Sequence, residues 1–232
     1  MIPAGIRHLF FDLDHTLWDY DRNAVETLVE LYDEFSLSAF GLQPLPDFLT
    51  AFRMANVKVW DLFEETVMNQ HELRHKRLEL VFQEFGLPPV PIDGFNEAYY
   101  TQCSMGKHLI EGALETVKSL HGRFEMHIIT NGFEDIQYLK LENTGLAPYF
   151  KTVTTSEKAR SKKPEAAYFD FALRSAQAGK SESLVIGDGL RTDVAGARGY
   201  GLPVIWFNPD KMEKPHPDVM EIQKLIELCP CF

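Results

Sequence analysis

Residues 8–16 read HLFFDLDHT. His8 to Leu13 is an apolar run that ends in an acidic turn, the pattern of a strand covered on both faces. Two carboxylates, Asp12 and Asp14, stand where that strand runs out. A hydroxyl, Thr16, follows two residues later.

Downstream, strand-like and helix-like segments alternate. Leu114–Leu120 has helical spacing and Met126–Thr130 (MHIIT) reads as a strand. Ile136–Asn143 reads as a helix closed by Gly145, and Lys151–Thr155 as a short strand. Pro164–Ala178 reads as a helix with proline in its first turn, where proline is tolerated. Leu184–Gly187 (LVIG) is a strand, Asp193–Tyr200 a helix and Val204–Phe207 a strand. This alternation implies a parallel sheet with helices on both faces, an α/β fold, and the run at His8 must supply one of its strands.

Between that first strand and the rest, from about Asp19 to Lys107, the pattern is helical. Ala24, Val25, Leu28, Val29, Leu31, Tyr32 and Phe35 recur at helical spacing. Phe48 to Phe63 and Leu73 to Phe85 suggest two more helices, the latter stopped by Gly86, and Phe95–Gln102 is a weaker fourth. No strand-like alternation interrupts them, so this block reads as an insert. Past Asn208 the tail has one helical stretch, Val219–Leu228, without an assignable role.

The chain has 232 residues, 45% hydrophobic and 25% charged, with a formal net charge of −11. Such a chain can bury a sizeable core. Without a basic surplus to neutralise phosphates, nucleic acid polymers and anionic membranes are poor partners. Cys103, Cys229 and Cys231 are odd in number and show no metal-ligand spacing, which reads as free thiols in a reducing compartment. The N-terminus has no apolar stretch long enough for a signal peptide, and no run approaches a membrane span. The expected location is the cytoplasm. The sequence leaves oligomeric state open.

Ligands of open parallel sheets bind outside the carboxyl ends of the strands. After the first strand come Asp12 to Thr16, and after the second Thr130-Asn131-Gly132. Lys162-Lys163-Pro164 precedes a helix, and Asp188-Gly189 follows a strand, with Asp193 five positions on. Carboxylates gathered in a cleft repel one another, so Asp12, Asp188 and Asp193 point to a hard divalent cation. Oxygen ligands without histidine or cysteine favour Mg²⁺ over zinc. The ion, Thr130, backbone amides and Lys163 together make an anion site for a phosphoryl group. Asp12 can then act as nucleophile and Asp14 as the acid that protonates the leaving oxygen and later activates water.

Taken singly, each motif is weak: Asp-x-Asp is often a turn or cap, Thr-Asn-Gly a turn, Lys-Lys-Pro a charged helix start. Together, DLDHT, TNG, KKP and GDGLRTD resemble the four motifs of the haloacid dehalogenase-like hydrolase superfamily, in order and in matching strand contexts. The resemblance spans nearly the whole chain. It implies a Rossmann-like core formed by residues 1–17 and 108–232, and a helical cap over 18–107. It implies that Asp12 is nucleophile and metal ligand, and that Asp14 is general acid/base and ligates through its carbonyl. Thr130 and Asn131 would bind the phosphoryl group, Lys163 would hold both it and the nucleophile, and Asp188 would ligate the metal. Asp193, Thr16 and Gly132 would support the site. Family usage puts the lysine directly before proline, so Lys162 reads as a solvated neighbour and His15 as a spacer.

Asp14 also selects the reaction. A halide leaves without a proton, whereas an alkoxide needs one, and dehalogenases of this superfamily lack that aspartate. The expectation is therefore a phosphatase of small phosphorylated metabolites. A phosphomutase shares all four motifs and differs in its cap. DLDHTLWD resembles helical-capped 5′-nucleotidases of noncanonical pyrimidine nucleotides, so a nucleoside monophosphate leads and phosphoglycolate or a sugar phosphate follows. Trp18, Arg53, Asn56, Trp60, Arg74 and Arg77 are possible substrate contacts of the insert, and each alone also fits a packing or ion-pair role.

Overall fold

A computed structural model of the chain describes residues 2–65 and 68–229. Cys231 lies outside them; Cys103 and Cys229 form no disulfide among the described residues. The strands are β1 (His8–Phe11), β2 (Glu125–Thr130), β3 (Thr152–Thr155), β4 (Ser183–Gly187), β5 (Val204–Phe207) and β6 (Met220–Ile222). The helices are α1 (Tyr20–Glu34), α2 (Leu45–Glu64), α3 (Gln70–Glu84), α4 (Phe95–Ser104) and α5 (Ala113–Leu120). They continue with α6 (Glu134–Asn143), α7 (Ser156–Ala159), α8 (Ala166–Ala176) and α9 (Gly196–Tyr200). The chain folds as two compact units, residues 1–20 with 107–232, and residues 21–106.

The first unit is built on one sheet of six parallel strands in the order β3-β2-β1-β4-β5-β6. All four residues of β1 are buried, as a central strand covered on both faces requires. Phe11 pairs with Ile128 of β2 on one side and Ile186 of β4 on the other. Asp12 therefore emerges level with Ile129 and Gly187, one residue short of Thr130 and Asp188. The chain winds outward from β1 through β2 and β3, then restarts on the opposite side with β4, so Asp12 marks the point where the strand order reverses. Phe10, Ile129, Val185, Val204 and Trp206 form a core with Tyr168, Phe169 and Leu173 of α8.

Three sequence expectations change here. The tail does not form a helix over 219–228: Met220–Ile222 adds β6 to the sheet edge, Asn208 N donates to Ile222 O at 2.8 Å, and a 3₁₀ turn covers Leu225–Leu228. The β5 edge offers unpaired backbone groups, and pairing them outweighs a short apolar period. The helix expected from Pro164 starts at Ala166, because Glu165 N donates to Lys162 O and closes a turn around the proline. The helix expected from Asp193 is a π-helical turn, Leu190–Ala195, running into α9.

The second unit is helical. Tyr32, Phe48, Phe52, Phe95 and Tyr99 make its aromatic core, with Phe52 and Tyr99 ring centroids 4.8 Å apart. Arg77 is buried there: Nε donates to Asn56 Oδ1 at 2.7 Å, Nη1 bonds the Tyr100 hydroxyl, and the guanidinium lies over the Tyr100 ring. Asn56 and Arg77 thus serve this unit's interior. No described helix is long and apolar enough to cross a membrane.

Candidate active site

The carboxyl ends of β1, β2 and β4 and the segment before α8 bring the expected residues together. Asp12 is anchored by its own N–H, which donates to Ile186 O at 2.9 Å. Lys163 Nζ donates to Asp12 Oδ1 at 2.6 Å, to Asp193 Oδ1 at 2.6 Å and to Ile129 O at 3.2 Å. Those are all three donors an ammonium has. Lys163 is 2% exposed, and its adjacency to two carboxylates outweighs burial and raises its pKa well above the usual lysine range.

The Asn131 side chain fixes that lysine. Lys163 N donates to Asn131 Oδ1 at 2.8 Å, and Asn131 Nδ2 donates to Lys163 O at 3.0 Å. Tyr168 secures the same wall: its hydroxyl oxygen accepts from Thr130 N at 2.7 Å and lies 2.7 Å from Thr154 O. Lys162, read from sequence as solvated, is buried.

Asp12, Asp188 and Asp193 each offer a carboxylate oxygen, and these atoms lie within 4.8 Å of one another. Lys163 compensates Asp12 and Asp193. Asp188 has Thr16 instead: Thr16 Oγ1 donates to Asp188 Oδ1 at 2.8 Å and accepts from Asp188 N at 3.1 Å. His15, in the left-handed region with φ 64°, turns the chain ahead of that hydroxyl. Burial, then the neighbouring Asp193, pushes the Asp188 carboxyl up to about 7. Burial also holds Asp12 well above the usual carboxylate range, against the pull of Lys163. Three carboxylates sharing one ammonium leave a deficit of positive charge, and the donors are all oxygens. That set fits a hard divalent cation.

Asp193 is seated by Gly189, whose N–H donates to Oδ2 at 3.0 Å. Gly187 must lack a side chain, because a Cβ there would lie 2.5 Å from Asp193 Cγ. Gly132 is similar: its N–H donates to Thr130 Oγ1 at 3.0 Å, and a Cβ would meet Gln137 Nε2 at 2.2 Å.

Asp14 is held by two residues that the sequence reading missed. Lys140 Nζ lies 2.5 Å from Asp14 Oδ1, and Gln137 Nε2 lies 3.4 Å from Oδ2. Both come from α6, three residues apart on one face. Their signal was the position of α6 directly after Thr130-Asn131-Gly132. Of the possible substrate contacts outside the helical unit's core, Trp18 is buried beneath the Lys140 ammonium, 4.2 Å from its ring centroid. Arg53 is exposed and 3.5 Å from Asp21. Arg74 lies over Tyr100 and Trp60 packs edge-on to Phe63.

Comparison with known proteins follows the same lines. The haloacid dehalogenase-like hydrolase family pattern matches residues 9–207. The HAD-hydrolase YfnB of Bacillus subtilis is 32% identical over 96% of this chain and 93% of its own. Its magnesium-bound crystal structure matches with a TM-score of 0.86, covering 96% of both chains at 31% identity. The pyrimidine 5′-nucleotidase PynA of Streptococcus pneumoniae is 30% identical over 95% of this chain and 94% of its own. The pyrimidine 5′-nucleotidase YjjG of Escherichia coli is 29% identical over 89% and 88%.

Proposed function

The chain belongs to the haloacid dehalogenase-like hydrolases, and from that membership we propose that it is a magnesium-dependent phosphomonoesterase acting on pyrimidine nucleoside 5′-monophosphates through an aspartyl phosphate on Asp12. The observation that carries the reading is the pair of carboxylates on one loop. Asp12 is tied to Lys163 in the acidic cluster, and Asp14 is held apart from it by Lys140 and Gln137.

Asp12, Asp188 and the Asp14 carbonyl would hold the ion, with Asp193 behind them; when bound, the ion neutralises charge on the phosphoryl oxygens. Lys163 orients Asp12 and pulls it toward the ionised form against burial. A carboxylate oxygen of Asp12 attacks phosphorus, the ester P–O bond breaks, and Asp14 gives its proton to the departing oxygen. Asp14 then takes a proton from water as that water attacks phosphorus, releasing phosphate and restoring Asp12. Thr130 Oγ1 accepts from Gly132 N, which leaves its hydroxyl proton for a phosphoryl oxygen. Asn131 Oδ1 and one Nδ2 hydrogen are engaged with Lys163, so Asn131 acts on phosphate through its second Nδ2 hydrogen or its main-chain N–H. A direct phosphoryl contact from Lys163 exchanges its 3.2 Å bond to Ile129 O. Residues 18–107 act as the cap that selects the rest of the substrate.

The nucleotide assignment is supported by the two relatives named as pyrimidine 5′-nucleotidases. The test is turnover of a phosphate-ester panel with Mg²⁺. Pyrimidine monophosphates should lead, ahead of purine monophosphates, sugar phosphates and phosphoglycolate. Strong turnover of phosphoglycolate with none of any pyrimidine monophosphate overturns the nucleotide assignment and leaves a small-metabolite phosphatase.

A further inference from the structure

The amino ends of the central strands carry a second cluster that this chemistry does not use. His8 opens β1, and Glu125 and His127 lie at the start of β2, where His8 pairs with Glu125. His8 Nδ1 and His127 Nε2 face each other at 3.2 Å, and Glu125 Oε2 lies 3.7 Å from His8 Nδ1. One ligand atom from each of the three residues falls within 4.8 Å of the other two. Two ligands of a tetrahedral zinc ion, each about 2.0–2.1 Å from it, stand about 3.3 Å apart. The two imidazoles already have that separation.

Their outer atoms are also arranged as in a metal site, where a ligating imidazole is oriented by a partner on its other nitrogen. His127 Nδ1 lies 2.9 Å from Thr152 Oγ1, and His8 Nε2 faces Glu182 Oε1 at 3.9 Å. Phe10 stacks on His127 with centroids 4.7 Å apart and fixes its plane. His127 is 1% exposed, and burial, then His8, lowers its pKa to about 4, which keeps the imidazole a neutral donor at neutral pH. Lys151 takes Glu125 Oε1 at 2.7 Å and leaves Oε2 toward the imidazoles. The Glu125 side chain is 44% exposed, which gives an ion its route in.

We propose that His8, His127 and Glu125 bind a borderline divalent transition-metal ion, zinc being the type, with water completing a tetrahedral shell. Two imidazoles and one carboxylate suit zinc, whereas Mg²⁺ prefers oxygen alone. Asp12 lies four residues further along the strand direction, about 13 Å away at strand rise. This ion is therefore separate from the catalytic one and clamps β1 to β2 at their amino ends. Binding replaces the contact between the imidazoles, each of which then turns a lone pair to the ion and carries its N–H on the other ring nitrogen.

The experiment is calorimetric titration of the full chain with Zn²⁺ while excess Mg²⁺ occupies the aspartate cluster, with Co²⁺ absorption as the readout of geometry. Wild type should bind one zinc and give the intense visible bands of tetrahedral Co²⁺. E125Q, at a part-exposed position, should bind zinc about tenfold or more weakly, lose those bands, and keep wild-type phosphatase turnover. H127N should lose the site, and D188N should retain it. Absence of zinc binding to wild type overturns the proposal, as does equal affinity in wild type and E125Q.

Discussion

The Lys140 ammonium lies 2.5 Å from Asp14 Oδ1 while its other side rests 4.2 Å from the Trp18 ring centroid. A buried cation thus fixes the carboxylate assigned as proton donor, and fixes it apart from the neighbouring Asp12–Lys163 pair. The division gives the two carboxylates of one loop different surroundings, which is the requirement for different tasks.

K140M removes that cation and keeps most of the side-chain volume. Asp14 then loses its fixed position, and proton delivery suffers. Hydrolysis of nucleoside monophosphates should fall about 10²-fold, as for loss of a general acid. Hydrolysis of p-nitrophenyl phosphate should fall much less, because its leaving group departs as the anion. Comparing kcat on the two esters checks this; equal losses contradict the role given to Asp14. D14N should show the same bias more strongly.

K163M leaves Asp12 and Asp193 buried without their cation. Breaking a buried pair from one side costs about 3–5 kcal/mol. Urea unfolding of the metal-free variant should show a loss of that size, with no turnover. A stability within about 0.5 kcal/mol of wild type, the range of an ordinary surface substitution, contradicts the pairing.

The acidic cluster makes stability depend on pH in a stated direction. Asp188 is raised to about 7 and Asp12 is also raised. Between the unfolded carboxylate range and pH 7 these two groups therefore hold more protons folded than unfolded, whereas buried His127, lowered to about 4, contributes with the opposite sign. The Asp188 share of metal-free stability should fall as pH rises from about 4 through 7. Melting temperature of wild type minus that of D188N, followed against pH without metal, checks the sign; a difference that rises across that window contradicts it.

Magnesium should reverse that loss. An ion at 100 times its Kd adds about 2.7 kcal/mol to a state that alone binds it. Melting temperature of wild type at pH 7.5 should rise with Mg²⁺, and D188N should lose most of the rise. Chelation should stop turnover. An identical magnesium response in D188N removes Asp188 from the ion's ligands.

The parts of the site legible in sequence are those that follow a strand directly. Asp12, Thr130 and Asp188 each stand just past an apolar run, so recognising the strand also places the residue. Residues that act from a helix face or a distant turn are not marked this way. Lys140 and Gln137 look like ordinary polar positions of α6, and Tyr168 like a core aromatic of α8. The Asn131–Lys163 clamp joins residues 32 apart and follows only from the parallel packing of β2 and β3. The tail misled for a local reason. Val219, Ile222, Leu225 and Leu228 recur every three residues, and nothing local reports that the β5 edge stands open beside them.

The covalent step at Asp12 is tested most directly by acid-quenching the enzyme during turnover with Mg²⁺ and determining the mass of the peptide that carries Asp12. The account predicts a phosphoryl adduct on that peptide, enriched in D14N, where water activation is impaired, and absent from an inactive D12N. Undiminished turnover by D12N, with no adduct on the wild-type peptide, would contradict it.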